Sequence, residues 1–325
     1  MAKDTKRILM TGAAGQIGSE LAQALRKKHG RDNVVVTDLF RPPASLAEAG
    51  PFELLDVTDA KSIDGLVGKY AVDTVYHLAA LLSATGEKKP QKAWDVNMNG
   101  LYNVLEVARA RGLTKVFSPS SIAVFGPATP RENAPQDTVL DPRTIYGVTK
   151  VAGEHLCDYY VRKYGLDVRG CRYPGIISHQ TLPGGGTTDY AVAIYYEAVK
   201  DGRYACFLRE DTRLPMMYMP DCIKCTLDLM EADSGGLKHH SNFNVTAMSF
   251  SAGELAAEIR KHIPSFECRY EPDFRQAIAD SWPASVDDSA ARAEWGWKPG
   301  YDLAAMTVDM LAALNERQAA GKLNG

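Results

Sequence analysis

Long apolar runs are missing from this chain. No segment approaches the roughly 20 consecutive apolar residues that a membrane-crossing helix needs, so no span is expected. A basic block is missing too. Lys and Arg number 37 against 40 Asp and Glu, a formal net charge of -3, which argues against a nucleic-acid footprint or a polybasic membrane surface and leaves small molecules as the expected partners. Cysteine is scarce and scattered: Cys157, Cys171, Cys206, Cys222, Cys225 and Cys268. Only Cys222 and Cys225 stand at CxxC spacing, and a structural zinc site wants a second ligand pair. No metal is therefore expected, and the pair reads as the packed face of a helix. Six scattered thiols suit a reducing compartment better than a disulfide framework. The opening "MAKDTKRILMTG" has no signal or transit pattern, so a cytoplasmic protein is expected. Internal repeats, low-complexity tracts and separating linkers are also lacking.

What remains is an ordinary globular composition, 45% hydrophobic over 325 residues, enough for a large core. In the N-terminal half, short apolar runs ("RILMTG", "NVVVTD", "FELLDV", "DTVYHLAA", "KVFSPSS") alternate with amphipathic stretches ("SIDGLVGKY", "WDVNMNGLYNVLEVAR", and about Gln16 to Lys28). That rhythm predicts βαβ units, hence an α/β fold with a doubly wound parallel sheet covered on both faces. Later stretches, "HQTLPGGGTTDYA", "FLREDTRLPMMYM" and "YEPDFRQAIADSWPASVDDS", are punctuated by Gly and Pro and read as loops and short elements around a ligand. The expected division is a Rossmann domain over 1–177, joined by about 219–246, and a smaller substrate lobe from 178–218 and 247–325.

"TGAAGQIG" places Gly12, Gly15 and Gly18 directly after an apolar strand, with Gln16 and Ile17 opening a helix. Glycines there permit a sharp turn and let a pyrophosphate approach the free N–H groups of the helix. Asp38 ends the second strand, where a carboxylate accepts hydrogen bonds from an adenosine ribose and repels a 2′-phosphate. Arg41 is a nearby cation of opposite preference, but Asp38 holds the strand-end position, and NAD is the expected cofactor. Asp56, beside Val57, ends the next strand and either reaches the adenine edge or caps its own turn.

"TIYGVTK" sets Tyr146 and Lys150 four positions apart, on one helix face. Oxidising an alcohol needs a base for the hydroxyl proton, and a phenol of ordinary pKa about 10 is a poor one at neutral pH. A lysine ammonium and a positive nicotinamide together favour phenolate; a fall of about 3 in pKa requires roughly 4 kcal/mol. Ser121, at the carboxyl end of a strand, is the expected holder of the substrate oxygen.

Together the glycine loop, Asp38, "HLAA" (with Leu78, Ala79, Ala80), Ser121 twenty-five positions before Tyr146, and YxxxK resemble the extended short-chain dehydrogenase/reductase superfamily, as does the closing "WGWKPGYDL". The resemblance implies Tyr146 as acid/base, Lys150 as its electrostatic partner and a ribose ligand, and Ser121 on the substrate hydroxyl. Asn97 in "VNMNG" matches a structural asparagine and, with Tyr173, falls on the cofactor side of the site. The superfamily's pairing of two helices across a two-fold axis implies a homodimer through a four-helix bundle, and "GLYNVLEVARA" and "GVTKVAGEHLCDYYVRKY" carry the apolar surplus for it.

Two departures separate the chain from the superfamily's nucleotide-sugar enzymes: Pro174 and Gly175 where an asparagine is usual, and Leu214 where an arginine grips the diphosphate. "HLAALLSATGE", "PSSIAVFGP", "RYPGIISHQTLPGGGTTDYA", "LPMMYMPD" and "PDFRQAIADSWP" instead resemble the short-chain family of L-threonine 3-dehydrogenases. That implies oxidation of the L-threonine β-hydroxyl by NAD+ to 2-amino-3-ketobutyrate, without metal. An amino acid's charged ends need short polar groups in a closed pocket, for which Ser83, Thr187 and Thr188 are candidates. Gly184 opens the glycine-rich run, which either closes over substrate or is a solvated loop. Trp282 either covers the substrate methyl or packs the lobe. A nucleotide-sugar epimerase or reductase, and a non-catalytic NAD(H) sensor, are the alternatives; the intact Ser121, Tyr146 and Lys150 set weighs against the sensor.

Overall fold

Residues 6–182 and 184–323 are described by a computed structural model. Pro183 of the glycine-rich segment, and the outermost ends of the two expected domains at 1–5 and 324–325, lie outside the described residues.

Fourteen strands follow in chain order among the described residues: β1 Ile8–Thr11, β2 Val34–Asp38, β3 Phe52–Leu54, β4 Thr74–His77, β5 Lys115–Phe117, β6 Ser120–Ser121, β7 Asp167–Arg169, β8 Cys171–Tyr173, β9 Gly175–Ile177, β10 Arg203–Cys206, β11 Arg213–Tyr218, β12 Phe243–Asn244, β13 Met248–Ser251 and β14 Glu267–Tyr270. Six form an all-parallel sheet in the order β3-β2-β1-β4-β5-β7. Beyond the breaks at Ser118–Pro119 and Gly170, β6, β8 and β12 carry parallel pairing on. Gly170 is required at its break, because a Cβ would stand 2.1 Å from the Ser118 carbonyl oxygen.

Strands buried on both faces need helices on both. Helices Gln16–His29 and Met219–Glu231 share one apolar cluster with Ile8, Met10, Val34 and Val36. Helices Ala60–Tyr70, Gly100–Arg111 and Ile145–Tyr164 share the other with Leu9, Val35, Val75 and Val116. The sheet is therefore doubly wound, as its apolar runs predict. Strand order reverses between β1 and β4, which opens a crevice at the carboxyl ends of the strands where such folds bind ligands.

A third cluster, with Tyr190, Tyr195, Leu214, Phe250 and Met310, underlies the C-terminal elements, including the β13-β11-β9 sheet and the β10-β14 pair. Of the loops and short elements expected in "FLREDTRLPMMYM", Arg213–Tyr218 is a mostly buried strand. Pro215 lies inside it, opposite Ser249 of β13 and one residue before pairing with β9 begins at Met216. The buried Asp221 carboxylate accepts the Gly300 and Tyr301 N–H groups at 2.8 and 3.0 Å, tying "WGWKPGYDL" to the start of helix Met219–Glu231. Cys222 and Cys225 are fully buried along that helix, and all six cysteines are free.

Candidate active site

The glycine loop turns where its sequence requires it. Gly12 has φ +69, and a Cβ there would stand 2.5 Å from the Ala79 nitrogen. A Cβ on Gly18 would stand 2.2 Å from the Gly12 carbonyl oxygen. Gly15 caps the helix without a side-chain hydrogen bond, leaving its first-turn N–H groups toward the crevice. Asp38 stands beside the loop: Ala14 N–H donates to Oδ2 at 2.9 Å and Leu39 N–H to Oδ1 at 2.7 Å. Gly12, Gly15, Asp38, Asp56, Val57, Leu78, Ala79 and Ala80 line one end of the crevice together with Phe40 and Lys92. Asp56 also caps its own turn, accepting from Thr58 N–H and hydroxyl at 2.9 and 2.7 Å. Arg41 lies over the Phe52 ring, 5.9 Å from its centroid.

The other end of the crevice gathers Gln16, Ile17, Gly18, Ser83, Ser121, Tyr146, Lys150, Tyr173, Thr187, Thr188 and Trp282 into one lining. Helix Ile145–Tyr164 is started by Thr144, whose hydroxyl accepts the Gly147 N–H at 3.0 Å. Its register brings the Lys150 Nζ within 5.6 Å of the Tyr146 ring centroid, and Nζ donates to the Pro119 carbonyl at 2.7 Å. Burial pushes the Tyr146 phenol up to about 12, with the Ser121 hydroxyl opposing, and pushes Lys150 down to about 8, with Cys157 and Glu154 opposing. Burial thus holds the phenol in its protonated form in the protein by itself, whereas the expected fall in its pKa was argued from Lys150 and a bound nicotinamide acting together.

Two sequence candidates sit differently from their expectation, and a third has two contacts. Asn97 lies beneath the crevice in a π-helical turn, Asp95–Asn99, where it holds both backbone groups of Leu81 and the Thr149 hydroxyl. Gly184 is exposed and outside the lining, where Gly186 takes its place. Trp282 is 5% exposed, packs in the lobe core and also lines the crevice.

Ser83 and Thr187 are buried 3.3 Å apart, hydroxyl to hydroxyl. Thr188 packs on Gly175, where a Cβ would stand 2.8 Å from the Thr188 Cβ, so the glycine at this departure admits the threonine. Leu214 is fully buried in the lobe core. Sequence reasoning missed Asp189. Its carboxylate lines the crevice, accepts the Gly185 and Gly186 N–H groups at 2.9 and 2.6 Å, and is pushed up by burial. The signal available was its position straight after Thr187 and Thr188 in a glycine-rich run. Among the described residues, no group of three or more His, Cys, Asp or Glu is arranged to hold a metal ion.

The model of the NAD dependent epimerase/dehydratase family matches residues 8–245. An L-threonine dehydrogenase of Clostridium difficile has a similar structure, 53% identical over 97% of this chain and 99% of that one, with TM-score 0.94. So does a monomeric L-threonine 3-dehydrogenase of metagenomic origin in its apo form, 50% identical over 95% and 99%, TM-score 0.92. An uncharacterised epimerase/dehydratase of Staphylococcus haemolyticus is 52% identical over 96% of this chain and 99% of its own length.

Proposed function

The chain belongs to the NAD dependent epimerase/dehydratase family, and within it we propose an NAD-dependent, metal-independent dehydrogenase that oxidises the β-hydroxyl of L-threonine to 2-amino-3-ketobutyrate. One observation carries this: a single crevice is lined both by a hydroxyl-reactive set, Ser121, Tyr146 and Lys150, and by a second polar set, Ser83, Thr187, Thr188 and Asp189. An amino acid that carries a hydroxyl needs partners of both kinds. With Leu214 buried and Thr188 seated on Gly175, the chain offers no arginine at that position for a sugar-nucleotide diphosphate. The named activities of the two similar structures agree with the reading.

NAD fits the residues at the other end. The Gln16 side-chain nitrogen is buried without a protein partner at the head of helix Gln16–His29, beside Gly15. Asp38 would hold the adenosine ribose, Asp56 and Val57 would border the adenine, and Lys150 would hold the second ribose; NAD+ held by these residues would supply the hydride acceptor. The chain's own residues handle the proton: Ser121 holds the substrate oxygen, Tyr146 removes its hydrogen, and Lys150 favours the phenolate. Ser83, Thr187 and Thr188 donate to the carboxylate, and Asp189 accepts from the ammonium. Gly186 to Asp189 cover the substrate, which shields the reacting atoms from water. Residues 1–177 with about 219–246 serve as the cofactor domain, and 178–218 with 247–325 as the substrate lobe.

The protein works in the cytoplasm as a homodimer on this reading. Helices Gly100–Arg111 and Ile145–Tyr164 leave Tyr102, Val148, Tyr159 and Tyr164 from 40% to 50% exposed, which supports pairing through a four-helix bundle. Among the described residues no helix is long and apolar enough to cross a membrane.

The test is NADH formation against threonine, serine, simple alcohols and UDP-sugars. Threonine is expected to be turned over far faster than the rest. Turnover of a UDP-sugar with none of threonine rejects the reading, and NAD+ binding without turnover of any substrate leaves a sensor.

A further inference from the structure

One turn beyond Lys150, the same helix buries a second charge that the chemistry above does not use. Glu154 is 4% exposed, and its carboxylate receives both arms of Arg172, 2.9 Å to Oε1 and 2.8 Å to Oε2. Arg172 is itself 3% exposed and gives its other nitrogen to the Gln136 carbonyl and to Asn244 Oδ1, at 2.9 and 3.1 Å. Burying an ion pair is a poor way to gain stability, since desolvation consumes most of the attraction and an apolar pair serves as well. What the pair does hold is position. The Ser120 hydroxyl donates to Glu154 Oε1, and Ser120 stands between Pro119, whose carbonyl takes the Lys150 Nζ, and Ser121. Fixing Ser120 fixes both neighbours against Tyr146.

Lys150 and Glu154 also line one cavity of about 20 Å3, together with His77, Asn97, Ser118 and Cys157, which is room for one water. The charged and titratable groups around it are few. Tyr146, Cys157 and Asp158 share the helix, His77 comes from the end of β4, and Arg172 comes from β8. Burial and the Lys150 charge push the His77 imidazole down to about 3, so it is neutral. Burial holds the Cys157 thiol protonated. Asp158 is engaged by the Ser241 hydroxyl at 3.1 Å. Glu154 is then the anion that lines the cavity with Lys150.

We propose that Glu154, braced by Arg172 and Ser120, is a positioning residue of the reactive centre: it fixes Pro119 and Ser121 against Tyr146 and keeps Lys150 charged. It touches neither substrate nor cofactor and acts through those three. Only the kinetic part of the test rests on the threonine reading.

The test uses NAD+-bound protein and the variants Glu154→Gln, Ser120→Ala and Ser120→Thr. Tyr146 ionisation is followed by tyrosinate absorbance, as the difference between each protein and the same protein carrying Tyr146→Phe. With Glu154→Gln the midpoint should rise by about 0.5 to 1 pH unit, because Lys150 gives up its proton more readily and Ser121 moves off the phenol; with Ser120→Ala, which keeps the carboxylate, it should rise through the displacement of Ser121 alone. Threonine turnover should fall about 5- to 20-fold at pH 7.5 with KM within about twofold, a loss confined to the reactive step. Ser120→Thr retains a hydroxyl and should restore both. Folded variants with the midpoint of the unsubstituted protein overturn the proposal. Should Glu154→Gln fail to fold, with Arg172 left buried and unpaired, Ser120→Ala decides, since it removes one hydroxyl and leaves the ion pair. Absent threonine oxidation by the unsubstituted protein rejects the functional reading alone; the tyrosinate midpoints still read the role of Glu154.

Discussion

At the residue scale the site sets two cations and a phenol against the cost of burial. Tyr146→Phe keeps the ring and removes the ionisable oxygen, so threonine oxidation should fall by about 10² to 10⁴ while NAD+ affinity holds. A Tyr146→Phe protein with near-normal turnover contradicts the mechanism. Lys150→Ala removes both the cation beside the phenol and a ribose contact. Turnover and NAD+ binding should drop together, and the residual rate should climb with pH as the unassisted phenol, pushed up to about 12 by burial, ionises. His77 offers a stability readout. Its imidazole, 4% exposed, is pushed from the ordinary 6.5 to about 3 by burial and by Lys150. Between these values the unfolded chain binds the proton and the folded chain does not, so stability is present above pH 6.5 and lost as pH falls. From pH 7 to 5 this group alone should cost about 2 kcal/mol. Denaturant unfolding at the two pH values should show that difference shrinking in His77→Asn, which carries no titrating ring.

Elements place these residues, and the glycine loop leaves no room for a side chain at Gly12 or Gly18. Gly18→Ala would drive a Cβ to 2.2 Å from the Gly12 carbonyl oxygen. The loop must shift, at a cost of about 1–3 kcal/mol, and NAD+ titration should show a clear loss of affinity while helix content by circular dichroism is kept. Asp38 closes the same element pair, held by Ala14 and Leu39 N–H groups. NAD+ should be strongly preferred, and Asp38→Gly should narrow that preference by admitting the 2′-phosphate. Faster turnover of the unsubstituted protein with NADP+ at equal concentration contradicts the assignment. In the segment from Gly184 to Asp189, Gly185 takes φ +97 and the Asp189 carboxylate accepts the Gly185 and Gly186 N–H groups.

For the whole molecule, assembly is the open quantity that the fold does not dictate, because a monomeric relative shares it at TM-score 0.92. The exposed tyrosines at 102, 159 and 164, with Val148, lie on the two helices that the bundle would pair. Sedimentation at micromolar concentration should show a dimer. A single 35.5 kDa species contradicts the dimer and leaves the chemistry untouched.

The doubly wound sheet was legible from the sequence because alternating apolar runs and amphipathic helices are local signals, and so was the glycine loop, whose residue types answer to backbone conformation. YxxxK was legible as well, since helical spacing places i and i+4 on one face without help from the rest of the chain. Other features needed the tertiary structure. Arg213–Tyr218 became a buried strand only when β9 and β13, from elsewhere in the chain, paired on either side of it. Asp189 became a lining residue only when its segment folded back over the crevice beside Ser83, 106 positions away in sequence. Glu154 reads as one more helix charge until Arg172 and Ser120 arrive from two strands to bury it. The sign of the Tyr146 shift was decided the same way: sequence spacing supplies the neighbouring cation, but desolvation depends on how much of the whole molecule closes around the phenol.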